Sequence, residues 1–403
     1  MKLTIREGPL LVRGFRFAGV ACGIKPSGRP DLALIVSDRP ATAAGAFTRN
    51  RVRAIAVELA AHHVRDGRAR AVLVNSGNAN ACTGPAGERV ARAACRQAAV
   101  ALGIAPTDVL PCSTGKIGVP LPAVPMVRGI AEAVAALSPD GLWRAARAMM
   151  TTDAFPKVAA RRLRIGGRTV TIAGLAKGAG MIAPDLATLL VCVVTDARIG
   201  APALRALLAD ALAGSFNAIT VDGDTSTNDT VLVLANGAAG AQPLARASRD
   251  GRRFGAALAS VLGELADYVV ADGEGATKRV RVTVRGARSG LGARRVARAI
   301  AGSLLVKTAL YGADPNWGRI VCAAGYAGVP LTVERMTVRI AGVPVLRRGM
   351  PAPEASLRHA ARAMRRHAFA IDVELGSGGR GAATITTSDL SPAYVRFNSA
   401  YST

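Results

Sequence analysis

Ala71-Val72-Leu73-Val74-Asn75-Ser76-Gly77-Asn78-Ala79-Asn80 decides the fold class. Four apolar residues in a row read as a short buried strand. The run ends in a turn of amides and a hydroxyl among small residues. Residues 85–103 then carry Ala and Arg at helical period, which predicts a helix. Strand, polar turn and helix in succession make the unit of α/β proteins, and the turn is where such proteins hold ligands. Working outward, Leu32–Val36 is a second buried strand, bracketed by Pro26-Ser27-Gly28 and Asp38-Arg39-Pro40. The first 60 residues read as strands joined by turns, with 53–64 undecided. Cys112 to Gly118 reads as a second small-residue turn, and 127–150 as one helix. A strand pair flanks Gly166-Gly167. A glycine-rich turn from 174 leads into the buried strand Leu189–Val194. Helices are expected at 202–214 and 252–268, and strands at Val231–Leu234 and 279–284. From 286 onward the pattern is α+β and ends in strands 369–375 and 382–387.

The chain has 403 residues, enough for two or three domains or one large α/β unit. Half of it is apolar but only 4% is aromatic, so Ala, Val, Leu and Gly must build the core. That apolar content excludes an extended disordered chain. The net charge is +25, which taken alone points to nucleic acid or an acidic surface. Only seven of the 52 basic residues are Lys, however, and the Arg are scattered. No tract interleaves basic and aromatic residues as a nucleic-acid groove does. A solvated basic surface is the expectation. The six Cys stand far apart with no C-x-x-C pair, so buried free thiols are expected rather than zinc or disulfides. No apolar run reaches 18 residues, and Arg6, Arg13 and Arg16 interrupt any leader-like start, so a soluble cytoplasmic protein is expected.

Three small motifs fail their context. Gly376-x-Gly378-x-x-Gly381 follows a strand but precedes β-like sequence, so a hairpin turn is expected rather than a dinucleotide site. Gly302 to Thr308 lacks the second glycine of a phosphate loop, where Val306 stands. Asp222, Asp224 and Ser226 begin like a calcium loop, but Thr227 and Val233 break it. Histidine is scarce: His62, His63, His359 and His367, none in a small-residue turn. A Ser-His or Cys-His enzyme needs an imidazole beside its nucleophile. One base needs no imidazole, the α-amino group of a processed N-terminal Thr, whose ordinary pKa of about 7.7–8.0 suits neutral pH. Lys177-Gly178-Ala179-Gly180-Met181-Ile182-Ala183-Pro184-Asp185-Leu186-Ala187-Thr188-Leu189-Leu190 offers a place for such a Thr. Glycines and Pro184 constrain the turn, Ala187 presents an open carbonyl, and Thr188 begins an apolar strand. Thr188 Oγ attack on Ala187 would give an ester whose hydrolysis frees the Thr188 amine. From pattern alone, Thr188 reads more readily as a β-branched residue starting a strand.

This segment resembles the self-cleavage motif of the ornithine acetyltransferase (glutamate N-acetyltransferase) family of arginine biosynthesis. Ala18 to Lys25, Leu32 to Pro40, Asn75 to Gly84, Ser113 to Gly118, Thr151-Thr152-Asp153, Val221 to Asp229, Asp272 to Lys278, Lys307-Thr308-Ala309, Asp314 to Ile320 and Asn398 to Thr403 resemble the family too, in order along the whole chain. The resemblance implies an α/β fold of layered sheets and helices, of the ornithine acetyltransferase and self-cleaving aminopeptidase type, with a smaller α+β C-terminal subdomain. It implies cleavage between Ala187 and Thr188 into an α chain of 1–187 and a β chain of 188–403. Residues 188–285 would complete the catalytic domain and 286–403 form the subdomain.

Thr188 would take acetyl from N-acetylornithine and pass it to glutamate in a ping-pong reaction, with acetyl-CoA as a further donor in bifunctional members. Thr114 hydroxyl and Gly115 N–H would stabilise the oxyanion, and Thr152, Lys177, Thr188, Glu274, Asn398 and Thr403 would bind substrate. Lys177 suits a carboxylate and is an outlier in an Arg-rich chain, while Glu274 suits an ammonium. The resemblance implies no cofactor or metal, and an αβ pair that doubles to α₂β₂, without nucleic acid or membrane. Asp185 departs from the Asn or Ser that the family often carries. A self-cleaving aminopeptidase, of related fold and nucleophile, is the alternative reading.

Overall fold

The computed structural model describes residues 7–183 and 189–400. The chain divides into two compact units. The larger takes Thr4–Asn217 and Asp224–Val269, the smaller Ala218–Gly223 and Val270–Ser402.

The larger unit contains β1 (Phe15–Val20), β2 (Leu32–Phe47), α1 (Ile55–His63), β3 (Arg68–Asn78), α2 (Gly84–Leu102), β4 (Val109–Lys116), α3 (Ala123–Ala135), α4 (Leu142–Met149), β5 (Lys157–Ile165), β6 (Arg168–Lys177), β7 (Leu190–Thr195) and α5 (Ala201–Ala213). The short β8 (Ile219–Thr220) joins the smaller unit, and the larger resumes with β9 (Thr230–Ala235) and α6 (Arg249–Ala271). Its sheet runs β4-β3-β2-β9-β7-β6-β5, with β1 alongside β2. The β3–β4 and β7–β9 pairs are parallel and the others antiparallel. Both faces are covered, which explains why the strands read as unbroken apolar runs. On β2, Ala33 and Ile35 pack with Leu142, Ala145 and Met149 of α4, while Leu32, Leu34 and Val36 pack with Ala94 and Ala98 of α2 and Ile130 of α3. The period of two along the strand thus divides the residues between two cores.

Several expectations need correction here. Asp38-Arg39-Pro40 does not end the strand. It forms a bulge within β2, and the strand continues to Phe47 by changing its partner from β3 to β9. Proline, with no N–H to give the ladder, is tolerated at such a point. Residues 55–63, within the stretch left undecided, form a helix, in which Ala56, Val57, Leu59 and Ala60 are buried. Cys112 to Lys116 is strand rather than turn, and the stretch from Gly174 to Lys177 completes β6. The helix expected over 127–150 breaks into α3 and α4. Ser138 exchanges backbone bonds with Phe17, and at Gly141 a Cβ would meet the Phe17 carbonyl oxygen at 2.1 Å.

Among the described residues, α6 is one helix long and apolar enough to cross a membrane. Its apolar residues Phe254, Leu258, Val261 and Leu265 are buried, and a Cβ at Gly174 of β6 would lie 2.8 Å from Leu265. It is a core helix of this unit. All six cysteines are free as expected, but Cys82 and Cys322 are exposed rather than buried.

The smaller unit holds β10 (Arg279–Ala287), α7 (Gly290–Gly302), α8 (Leu304–Gly312), α9 (Trp317–Gly325), β11 (Thr337–Ile340), β12 (Val343–Arg347), β13 (Met350–Pro351), α10 (Glu354–Ala363), β14 (Ala368–Glu374), β15 (Gly381–Ser388) and α11 (Pro392–Ala400). Its sheet order is β13-β12-β11-β14-β10-β15-β8. Because β10 lies between β14 and β15, the glycine motif at 376–381 is a loop over the end of β10, not a hairpin turn. A Cβ on Gly379 would meet the Ala287 carbonyl oxygen at 2.0 Å, so glycine is required where the loop passes over that backbone. Ser303 ends α7 and caps α8, which accounts for the segment that fails as a phosphate loop. Lys307 of α8 is buried against Thr387 and Ser388 of β15.

Candidate active site

Thr114 lies near the end of β4, in register with Ser76 of β3, and is 9% exposed. The next residue, Gly115, has φ +132°, and a Cβ there would fall 2.3 Å from the Gly77 carbonyl carbon. Only glycine allows these two strand ends so close, because an L side chain would meet both the wrong φ and the opposing backbone. Two strands away from β2 on its other side, β7 separates β9 from β6, whose last residue is Lys177. Lys177 Nζ donates to Thr114 Oγ1 at 3.1 Å, in a buried setting. An ammonium that fills a hydroxyl lone pair leaves the O–H free in direction and polarises it as a donor.

Asp153 fixes the backbone next to Lys177. Its carboxylate accepts from Gly178 N–H at 2.7 Å and from Thr151 N–H at 2.9 Å, which draws the Thr151-Thr152 turn to the end of β6. It also pairs with Lys157 at 2.6 Å, with both side chains fully buried. Burial would raise the Asp153 pKa, but Lys157, Lys177 and the Gly178 N–H outweigh it and hold the group well below the carboxylate range.

Lys25 adds a second ammonium to this neighbourhood. It donates to the carbonyls of Met150, at the C-terminus of α4, and Pro30, at 2.6 and 2.7 Å. Burial pushes its pKa down to about 8, with Asp31 opposing and Arg29 and Lys177 adding to the fall. Asp31 in turn accepts four successive N–H groups, from Cys22 to Lys25, which locks the loop that carries this lysine.

The turn from Thr225 to Asp229 ties these parts together. Asn228 Nδ2 donates to the carbonyls of Ala79 and Ser113, at 2.6 and 2.8 Å. Ser113 donates to Asn75 at 2.6 Å, so the strand end carrying Thr114 is held from both sides. Thr225 Oγ1 donates to the Ala183 carbonyl at 3.0 Å, and Thr230 N–H donates to the Leu189 carbonyl at 2.9 Å. One turn therefore grips the chain on both sides of residues 184–188.

Of the residues expected at the site, Thr114, Gly115, Thr152 and Lys177 are gathered in the larger unit. Glu274 and Asn398 belong to the smaller, where Asn398 Nδ2 donates to Glu274 Oε2 at 3.0 Å. Ser391, at the start of α11, bonds the Gly275 carbonyl at 2.6 Å and anchors that helix beside Glu274. Ala187, Thr188, Asp185 and Thr403 lie outside the described residues. No group of three potential metal-ligating side chains occurs among the described residues. Sequence reasoning missed Lys25, Asp31, Asn228 and Asp229 as parts of this arrangement. The rarity of Lys was a signal for the first. Asp31 serves the neighbouring loop, whereas Asn228 and Asp229 depend on contacts made far along the chain.

A hydroxyl backed by an obligatory glycine and held by a buried ammonium has the donors that acyl-transfer enzymes use to stabilise an oxyanion. The chain belongs to the ArgJ family, whose model matches residues 16–403. It is 48% identical, over 97% of its length and all of the relative's, to the arginine biosynthesis bifunctional protein ArgJ of Geobacter sulfurreducens. It is equally 48% identical to that of Symbiobacterium thermophilum, over 97% of both chains. The crystal structure of ArgJ from Bacillus halodurans is similar at 39% identity and a TM-score of 0.50, covering 53% of this chain and 98% of that one. It is an enzyme family of arginine biosynthesis, and the layered α/β fold is the family's own.

Proposed function

We infer that the protein is a glutamate N-acetyltransferase that cuts itself between Ala187 and Thr188 and then moves acetyl from N2-acetyl-L-ornithine to L-glutamate through an acetyl-Thr188 ester. The observation that carries this reading is the buried bond from Lys177 to Thr114 beside Gly115. Thr114 O–H and Gly115 N–H would stabilise the tetrahedral oxyanion, each donor contributing about 3–4 kcal/mol. The Thr188 α-amine, freed by the cut, would be the base. Lys177 would hold the substrate carboxylate and Glu274 its ammonium, with Thr152, Asn398 and Thr403 completing the binding surface. The name bifunctional, borne by the relatives, supports acetyl-CoA as a second donor to the same threonine.

Support for the cut comes from the grip on Ala183 and Leu189, which steadies the chain on both sides of the bond. The matched chain in the solved relative's crystal structure is about half as long as this one, the length a mid-chain cut leaves. The products would be an α chain of 1–187 and a β chain of 188–403, the latter made of 188–285 and 286–403, assembling as α₂β₂ in the cytoplasm.

Thr188→Ala tests this. The native enzyme should give two bands on a denaturing gel and exchange acetyl between ornithine and glutamate. The variant should stay whole and inactive. A variant that still cuts and turns over refutes the reading.

A further inference from the structure

Lys25 reaches two parts of the site from a loop that belongs to neither. Asp31 fixes that loop twice. Its carboxylate accepts the N–H groups of Cys22, Gly23, Ile24 and Lys25 at 2.7–3.2 Å. Its carbonyl accepts from Ser76 N–H at 2.8 Å. The loop is thereby held against the end of β3, where Gly77 follows Ser76.

The Lys25 stem lies over Gly77. Gly77 has φ +102°, and a Cβ there would fall 2.9 Å from Lys25 Cγ and 3.3 Å from Ile24 Cγ2. Gly77 is in turn the backbone that a Cβ on Gly115 would meet. Stem, Gly77 and Gly115 follow one another with no space for a side chain between them.

The ammonium reaches further. It donates to the Met150 carbonyl at 2.6 Å and is steadied by the Pro30 carbonyl at 2.7 Å. The same peptide unit carries the Thr151 N–H, which donates to Asp153 Oδ2 at 2.9 Å. The C=O and N–H of a trans peptide point in opposite directions. The Met150–Thr151 plane is therefore gripped by a cation on one side and an anion on the other, both through charge-assisted bonds. Thr152 follows directly. Asp153 Oδ1 accepts from Gly178 N–H, beside Lys177, so the grip is continuous with the end of β6.

We propose that Lys25 is a positioning residue for the reaction: its ammonium sets the turn that presents Thr152 to substrate, and its stem supports the glycine pair behind the oxyanion donors. This rests on the acetyltransferase reading above, in which Thr152 binds substrate and Gly115 N–H stabilises the oxyanion. Lys25 does its part without touching the reacting atoms.

The two roles separate by substitution. Lys25→Met keeps an unbranched stem and loses the charge. It should raise KM for N-acetylornithine about 10-fold, with a smaller fall in kcat. Lys25→Ala, which also removes the stem, should lower kcat about 10-fold further. Lys25→Arg, a cation of another shape, should recover part of the KM. A native KM in Lys25→Met, or equal losses in KM and kcat that follow a lowered thermal midpoint, overturns the proposal. A second readout needs no turnover. Hydrogen exchange at the Thr151 amide should be about 10-fold faster in Lys25→Met, with β3 and β6 amides unchanged. Native exchange at Thr151, or faster exchange throughout the sheet, also overturns it. If Lys25→Met does not fold, Lys25→Gln takes its place under the same criteria. Should the native enzyme move no acetyl from N-acetylornithine to glutamate, the functional reading is what fails, and exchange at Thr151 alone decides whether Lys25 holds the turn.

Discussion

Lysine is the informative residue of this chain. Where Arg is the default cation, the few Lys mark places that need a compact ammonium. Lys157, Lys177 and Lys307 are all nearly or fully buried, and Lys25 donates to two carbonyls. That signal was open to a reader of the sequence and pointed to Lys177, yet it held for Lys25 and Lys157 as well. Asp153 shows what such pairing contributes. Asp153→Asn leaves the Lys157 ammonium buried and uncompensated, which costs about 3–5 kcal/mol. The folded-state pKa of Asp153 lies below its unfolded value of about 3.9, so its contribution is complete above that pH and is lost as acid is added. Thermal midpoints of the native protein should owe no change to Asp153 between pH 7 and about pH 4 and should fall as acid is added below that. The variant should start lower and fall less.

Elements were legible where local pattern and tertiary demand agree. The strand at Ala71–Val74, helix α2 and the Gly166-Gly167 hairpin are all set by neighbours in sequence. The break between α3 and α4 was not legible, because its cause is Phe17, more than a hundred residues earlier. That break has a use. It lets α4 lie against β1 with backbone nearly touching backbone: a Cβ on Gly19 would meet the Arg144 carbonyl oxygen at 2.1 Å. The last carbonyls of α4 then hold Ser76 and Lys25, at 2.5 and 2.6 Å. Gly19→Val should lift α4 from the sheet and destabilise the protein by about 1–3 kcal/mol, read as a lower urea midpoint. Unequal loss of activity and stability would then separate the helix's support of the site from its packing.

At the scale of the molecule, the succession of strand, polar turn and helix indicated an α/β chain but not the strand order. Asn228 reaches Ala79 and Ser113 across 149 and 115 residues, and no local pattern carries such a link. If the chain is cut after residue 187, as proposed, the order itself has a consequence. In the larger unit, β4, β3 and β2 come from the front piece, β9 and β7 from the rear, and β6 and β5 from the front again. The two polypeptides would then be plaited edge to edge, so neither could leave without dismantling the sheet, and they should travel as one particle through a native column. Unfolding sets both adrift, and return then requires an encounter. Recovery from denaturant should therefore decline on dilution for the nicked protein and stay independent of concentration for the intact Thr188→Ala chain. Maturation of this kind would turn a reversible folder into a protein that is assembled once.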